Sequence, residues 1–336
     1  MTRAGLILAV CGLALAVPAG VFGEGPALAG GWLAAMVFCL GLSLGALGLG
    51  HIHALTGGRW GERLQPPLRA LAMGLPVALL LSLPLVLVPG ALFPWTAPAE
   101  TLPEVVRAKL PYLNLPFLYA RAALCAVAWL ILALRFATGA RGGAESVVSL
   151  IVLALTVSVF DIDWLMAPEP EFYSTIHPLI AMATMMTGAL AAGLIALDRR
   201  GLETERKDDL GKLAFGFLLL WAYLHYMQWL IVWSSDLPHE IHWYLDRARH
   251  GWGWLLGAGL VLNIGAGVAL AWRSVRLRRF GAVAALLLAG QGADVAWRVL
   301  PAMPGPGWAQ AGAAALALGL WLAALGLLRR REARHA

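Results

Sequence analysis

Charge is scarce in this sequence. Of its 336 residues, 13% are Asp, Glu, Lys or Arg, roughly half the share found in soluble globular domains. Hydrophobic residues reach 60%, with a mean hydropathy of +0.75. This balance excludes an ordinary soluble domain and fits a chain that lives in a bilayer. Polar stretches long enough to fold alone are also missing, so chemistry has to lie among the apolar segments, at their two faces or in a partner. Cysteine is rare: Cys11, Cys39 and Cys125 all fall inside apolar segments with no paired spacing. That argues against zinc, an iron–sulfur cluster or a disulfide framework, and the three read as small packing residues. His239, Glu240 and His242 do not have a catalytic-zinc spacing, so no metal is expected. A membrane haem would need histidines facing each other in depth, and only His225 lies near the middle of a segment.

What is there is length in apolar runs. A transmembrane helix needs about 20 mostly apolar residues, and ten such segments follow one another, at 5–22, 32–54, 68–90, 115–137, 145–166, 176–197, 211–234, 252–272, 281–300 and 308–328. The first resembles a signal peptide in its Arg3, short apolar core and "VPAG", but a retained helix is preferred. The expected fold is all-α and polytopic: one membrane domain over 1–330 and a short tail over 331–336. Within it, a peripheral first helix (1–30) precedes two four-helix bundles (31–170 and 171–305), and a last helix (306–330) follows.

The net charge of +6 reports topology rather than nucleic acid. Arg59, Arg63 and Arg69, then Arg135 and Arg141, then the cluster from Arg199 to Lys212, then Arg273 to Arg279, occupy alternate loops, and Arg329, Arg330, Arg331 and Arg334 close the chain. The intervening loops carry Glu24, Glu169 with Glu171, and Asp236 with Glu240. The positive-inside rule then places both termini in the cytoplasm. The fifth and ninth segments, which share an orientation, end in the same spacing: Asp161, Trp164, Pro168 and Asp294, Trp297, Pro301. An offset of four segments preserves orientation, as a tandem duplication of a four-helix unit would.

Ionisable residues inside these segments are costly and mark a pair or a pathway. Arg121, Asp161, Asp163, His177, Asp294 and Arg298 all fall near the outer ends of their segments and would share one stratum. Asp294 and Arg298 are four apart, in the favourable order for an ion pair on one helical face. Asp161 and Asp163 are separated by roughly 200° around a helix and cannot both address one partner; one is expected to face the bundle and the other the interface. His225 and Gln228 share a stripe with Trp221 and Trp229, where His225 can relay protons or simply bridge helices. His51 and His53 close the second segment as candidate proton entry points. The loop "SSDLPHEIHWYLDRARHGW", with Asp236, His239, Glu240, His242 and Trp243, reads as an interfacial segment that docks a partner.

Several stretches recur in an order that resembles a known family: "HALTGGRWG", "LFPW", "KLPYLNLPFLYAR", "FDIDWLMAPEPEFYSTI" and "DLGKLAFGFLLLWAYLHYMQWLIVWSSDLPHE". The chain is similar, over roughly residues 30 to 300, to the ActF-like membrane subunit of bacterial alternative complex III, a quinol:cytochrome c oxidoreductase, within the NrfD/polysulfide-reductase-like superfamily. His225 and the "SSD" of the seventh segment depart from the family's usual residues. The resemblance implies a subunit of the bacterial inner membrane with no cofactor of its own, in contact with the quinone pool, and partners that carry iron–sulfur clusters and c-type haem. The alternative is a structural or assembly subunit of a terminal oxidase supercomplex with no active quinol site. A secondary transporter is disfavoured because Pro168, Pro178 and Pro301 lie at segment ends rather than breaking helices at mid-depth.

Overall fold

A computed structural model describes residues 2–139, 142–199, 201–235, 238–249 and 251–335, with the side chains of 238, 239, 249 and 331–335 left aside. Ten helical spans are long and apolar enough to cross a membrane, and no strand occurs among the described residues. The chain is an all-α, multi-pass membrane protein. Its helices are α1 (Thr2–Val21), α2 (Gly25–Thr56), α3 (Arg59–Ala72, the start of a span reaching Val86), α4 (Leu115–Thr138), α5 (Gly143–Asp161), α6 (His177–Asp198) and α7 (Thr204–Ser234), then α8 (Pro238–Arg249), α9 (Gly253–Ala271), α10 (Phe280–Val299) and α11 (Gly307–His335). Of these, α8 is too short and polar to cross.

Two groups of four helices meet at the centre. In the first, α2 packs on α3 and α5, and α4 closes the group against α5 and the broken third span; in the second, α6 packs on α7 and α10, and α9 packs on both of those. The two groups therefore have the same neighbour order. They join where α2 lies along α6, and α2 is buried over almost its whole length. Glycine makes this possible. A Cβ on Gly41 would lie 2.9 Å from Met185 Cγ, one on Gly45 would collide with the Met185 carbonyl, and one on Gly48 would lie 2.8 Å from Met186 Cε. Without hydrophobic drive between helices in lipid, such close backbone approach supplies the packing. The first and last helices pair outside this core in the same way, through Gly5 and Gly12 against Gly312, Gly319 and Gly326.

The third span is not the continuous helix expected over 68–90. Past Ala72 it breaks into Leu75–Leu80 and Leu83–Val86, with Pro76 and Pro84 at the two starts. Proline has no N–H, so each break leaves backbone carbonyls unpaired, and in lipid each must find another donor. The protein supplies them from neighbouring elements. Trp32 Nε1 donates to Leu81 O (2.6 Å) and Tyr119 OH to Val86 O (3.0 Å), while Ser43 Oγ donates to Leu71 O (3.0 Å) and Trp321 Nε1 to Gly74 O (3.0 Å), two carbonyls that also accept a backbone N–H. Broken spans therefore do occur here, contrary to the expectation from Pro168, Pro178 and Pro301, but these four carbonyls are occupied by the protein's own side chains.

Candidate functional site

The second departure from a regular helix lies at the Asp161–Asp163 doublet. From Ile162 to Met166 the fifth span is π-helical, closed by Ala167 N–H to Ile162 O at 2.9 Å. Neither carboxylate reaches an interface: Asp161 is fully buried and Asp163 is 1% exposed. The expectation that one of the two faces outward is corrected. This end of the span is enclosed on both sides, by α4 and by the start of α6, and each flank supplies a basic side chain. The geometric argument that the two carboxylates cannot share a partner holds, because each has its own.

Asp163 takes Arg121, whose Nε and Nη2 donate to its two oxygens at 2.8 Å each while Nη1 donates to Tyr112 O at 3.1 Å. The position of Arg121 follows from a local signal: Asn114 caps α4 by accepting from Phe117 N–H, with Pro116 in the first turn. The guanidinium also lies over the rings of Tyr112 (3.8 Å) and Phe117 (4.2 Å). Burial, and then the carboxylate of Asp163, push the Tyr112 phenol up to about 12. Asp161 takes His177, with Oδ2 at 2.6 Å from Nδ1; its Oδ1 is buried without a partner. His177 opens α6 and lies edge-on to Phe172 and Trp243.

The third cluster lies in the second group of helices. Asp294 Oδ1 is 2.9 Å from His225 Nε2 on α7. Its Oδ2 accepts from Arg298 Nη2 (2.9 Å) and Nε (3.1 Å) and from Thr184 Oγ1 (3.0 Å), and Arg298 Nη2 lies 3.2 Å from that hydroxyl. Arg298 Nη1 is buried without a partner. So the expected Asp294–Arg298 pair forms and gains His225 and Thr184 as further members. This network borders a cavity of about 770 Å³ between α7, α9 and α10, lined by His225, Asp294, Asn263, Trp221, Trp229 and Tyr244, among others. Its mouth is apolar, with Leu260 and Ile264 exposed. The expected stratum thus resolves into three separate ionic groups.

Gln228 does not join them. It donates through Nε2 to Tyr244 OH (3.1 Å) and accepts from Ser174 Oγ (3.4 Å), tying α7 to α8 and to the turn before α6. His51 and His53 sit at the far end. His51 Nδ1 is 3.3 Å from Ser146 Oγ at the start of α5, about 22 Å of helix rise from Asp161. It is fully buried, because α2 is enclosed by neighbours there. His53 closes the end of α2, with Nε2 2.9 Å from Gly58 O and Nδ1 3.1 Å from Gln65 Nε2.

The segment expected to dock a partner folds into α8 and packs inward. Trp243 is buried against Phe172 (4.9 Å, stacked) and Trp297 (5.0 Å, edge-on), and Glu240 is buried too. Of the expected docking residues, His242 is exposed, while Asp236 and the side chain of His239 lie outside the described residues. The reason is Arg247. Its guanidinium pairs with Glu169 at 2.6 and 3.0 Å, donates to the carbonyls of Trp243, Trp297 and Arg298, and stacks on Trp243 at 3.6 Å. Burial raises the Glu240 carboxyl and the Tyr244 phenol above their ordinary ranges and lowers the Lys109 ammonium, which donates to Pro170 O at 2.6 Å.

Sequence reasoning missed Arg247 with Glu169, Thr184, and the Gln291–Asn263 bond (2.7 Å) that joins α10 to α9. Gln291 and Asn263 carried a readable signal as lone amides in apolar segments; Thr184 carried none. In comparison with known proteins, no family model matches this chain and no curated protein matches it.

Proposed function

We propose that this chain is the non-redox membrane subunit of a respiratory quinol-oxidising complex, similar to the ActF-like subunit of alternative complex III, in a bacterial inner membrane with both termini cytoplasmic. One observation carries the reading: His225 and Asp294, backed by Arg298 and Thr184, stand on the wall of a large aromatic cavity whose lining includes exposed apolar side chains. A quinol headgroup is a flat diphenol on an apolar tail. Such a cavity can stack the ring on tryptophan and tyrosine and set a hydroxyl against the imidazole. On oxidation, quinol releases two protons and two electrons. His225, 2.9 Å from Asp294, accepts a proton in this scheme, as an imidazole beside a carboxylate is suited to do. The electrons pass to iron–sulfur and c-type haem centres of partner subunits. Arg298 pairs with Asp294, and the Asp161–His177 pair is a second candidate for a proton relay.

The test starts from a tagged chain purified from its native membrane in mild detergent. Iron–sulfur and c-type haem partners, quinol:cytochrome c activity, and loss of that activity in His225→Gln with assembly intact support the reading. Co-purification with a terminal oxidase alone, with His225→Gln fully active, establishes the accessory-subunit alternative instead.

A further inference from the structure

The first group of helices has its own lipid-facing cavity, in the place that corresponds to the one beside His225. It measures about 410 Å³ and lies between α2, the broken third span, α4 and α5. The other is walled by the seventh, eighth and ninth spans, so third, fourth and fifth match them at an offset of four. Trp164 lines the one and Trp297 the other, and these two tryptophans occupy the same place in the repeated Asp-x-x-Trp-x-x-x-Pro spacing.

The two cavities differ in what their polar atoms can still do. In the second, His225 and Tyr244 stand on the wall beside Asn263, which is engaged with Gln291 and Gly259. In the first, Ser82, Cys125, Trp129 and Asp163 are all engaged within the protein. Both Asp163 oxygens accept from Arg121, and Trp129 Nε1 donates to Thr156 Oγ1 at 2.7 Å. Cys125 Sγ lies 3.7 Å from Thr156 O, and Ser82 Oγ donates to Leu79 O at 2.6 Å. Apart from the indole N–H of Trp164 the remaining lining is hydrocarbon, and the lining includes Leu80 and Leu83, which are exposed. A cavity of this size and polarity is in the range that holds small ligands, and an apolar one stays dry and takes apolar guests.

We propose that this cavity is a binding site for one hydrocarbon chain of a membrane phospholipid, and that the two repeat-related cavities have diverged into a lipid site and a titratable site. The acyl chain enters past the proline-broken third span, whose short pieces leave the opening. Bound there, it fills a gap beside Trp129 and Trp164 and links that span to α4 and α5.

The test uses the purified full chain with whatever subunits accompany it, reconstituted in vesicles of phosphatidylethanolamine and phosphatidylglycerol carrying a trace phospholipid with a diazirine on one acyl chain. After irradiation, cross-links are mapped by mass spectrometry. The expected result is enrichment on peptides spanning 76–83 and 122–130, lost in Ala126→Trp, which fills the cavity, and kept in Ala222→Trp, which fills the other. Ala126→Leu serves if Ala126→Trp does not fold, with partial loss expected. Labelling spread evenly around the bundle, or unchanged by either Ala126 substitution, overturns the proposal. So does labelling that long-chain ubiquinone displaces and excess phospholipid does not.

Discussion

Replacing Asp294 by Asn separates the structural from the functional role of the central network. In the native protein Asp294 faces two cationic or titratable groups, and Arg298 is 2% exposed with one guanidinium nitrogen already unpartnered. Asparagine keeps an acceptor oxygen and nearly the same volume but no charge, so Arg298 becomes a buried cation held by one neutral bond and the Thr184 hydroxyl. Removing one partner of a buried pair costs about 3–5 kcal/mol; the lower figure applies here because one acceptor survives. That is roughly a 100-fold fall in the folding constant. Taking out the second charge as well, in Asp294→Asn with Arg298→Met, removes the orphan and should recover most of the loss, since replacing a whole buried pair is often neutral. The assay is unfolding in mixed micelles at increasing dodecyl sulfate, followed by tryptophan fluorescence, for the wild type, the two singles and the double. Turnover is measured in parallel: the double variant should be stable and inactive, because the carboxylate that holds His225 is gone. A single Asp294→Asn variant as stable as the wild type would refute the picture of an ionised, buried pair.

Close packing of α2 on α6 gives a second pair of expectations. Gly45→Ala places a methyl group into the Met185 carbonyl and should cost about 1–3 kcal/mol by overpacking, whereas Gly216→Ala, in open space on α7, should be neutral or stabilise by up to about 1 kcal/mol through helix propensity; thermal melts of both in detergent decide. The Glu240 carboxyl, raised by burial on α8, gives a pH signature. The folded state holds its proton to higher pH than the unfolded state, so stability falls as pH rises from the ordinary carboxylate range through the raised value. Glu240→Gln should therefore be the more stable protein at neutral pH and lose that advantage under acid, as read from melting temperature against pH.

How far the sequence could be read depended on whether a feature was local. The number of spans was legible because hydropathy and length set it, and the span at 115–137 differs from Leu115–Thr138 by one residue, whereas the starts expected at 32, 68 and 211 lie at Gly25, Arg59 and Thr204, where polar or small residues extend the helices. The third span was misread because hydropathy does not register a break between two apolar pieces. Pro76 and Pro84 were visible, but whether a proline kinks a helix or ends it depends on donors such as Trp32, Trp321 and Tyr119, which come from remote parts of the chain. The pairing of Asp294 with Arg298 was legible from a spacing of four. Thr184 and His225 could not be assigned to it, since nothing local records which side of α10 faces α6 and α7.

The Asp161–Asp163 doublet shows why an idealised helix was the wrong ruler at the one place where it mattered. A regular α-helix sends residues two apart to nearly opposite sides, so one carboxylate had to face lipid or water. The structure keeps the divergence but removes the wet side: Arg121 on α4 and His177 on α6 flank the π-helical end of the span, and each claims one acid. Residues with opposite directions are thus both interior, which a helix enclosed on two sides permits and a helix at the rim of a bundle does not. The corresponding stretch of α10 has Ala296 two residues past Asp294, so there is no second acid, and Asp294 gathers its own partners instead. If the two stretches descend from one unit, the additional carboxylate in the first is taken up by Arg121 and offers the smaller cavity no free acceptor, while its absence in the second leaves His225 and Asp294 facing the larger one.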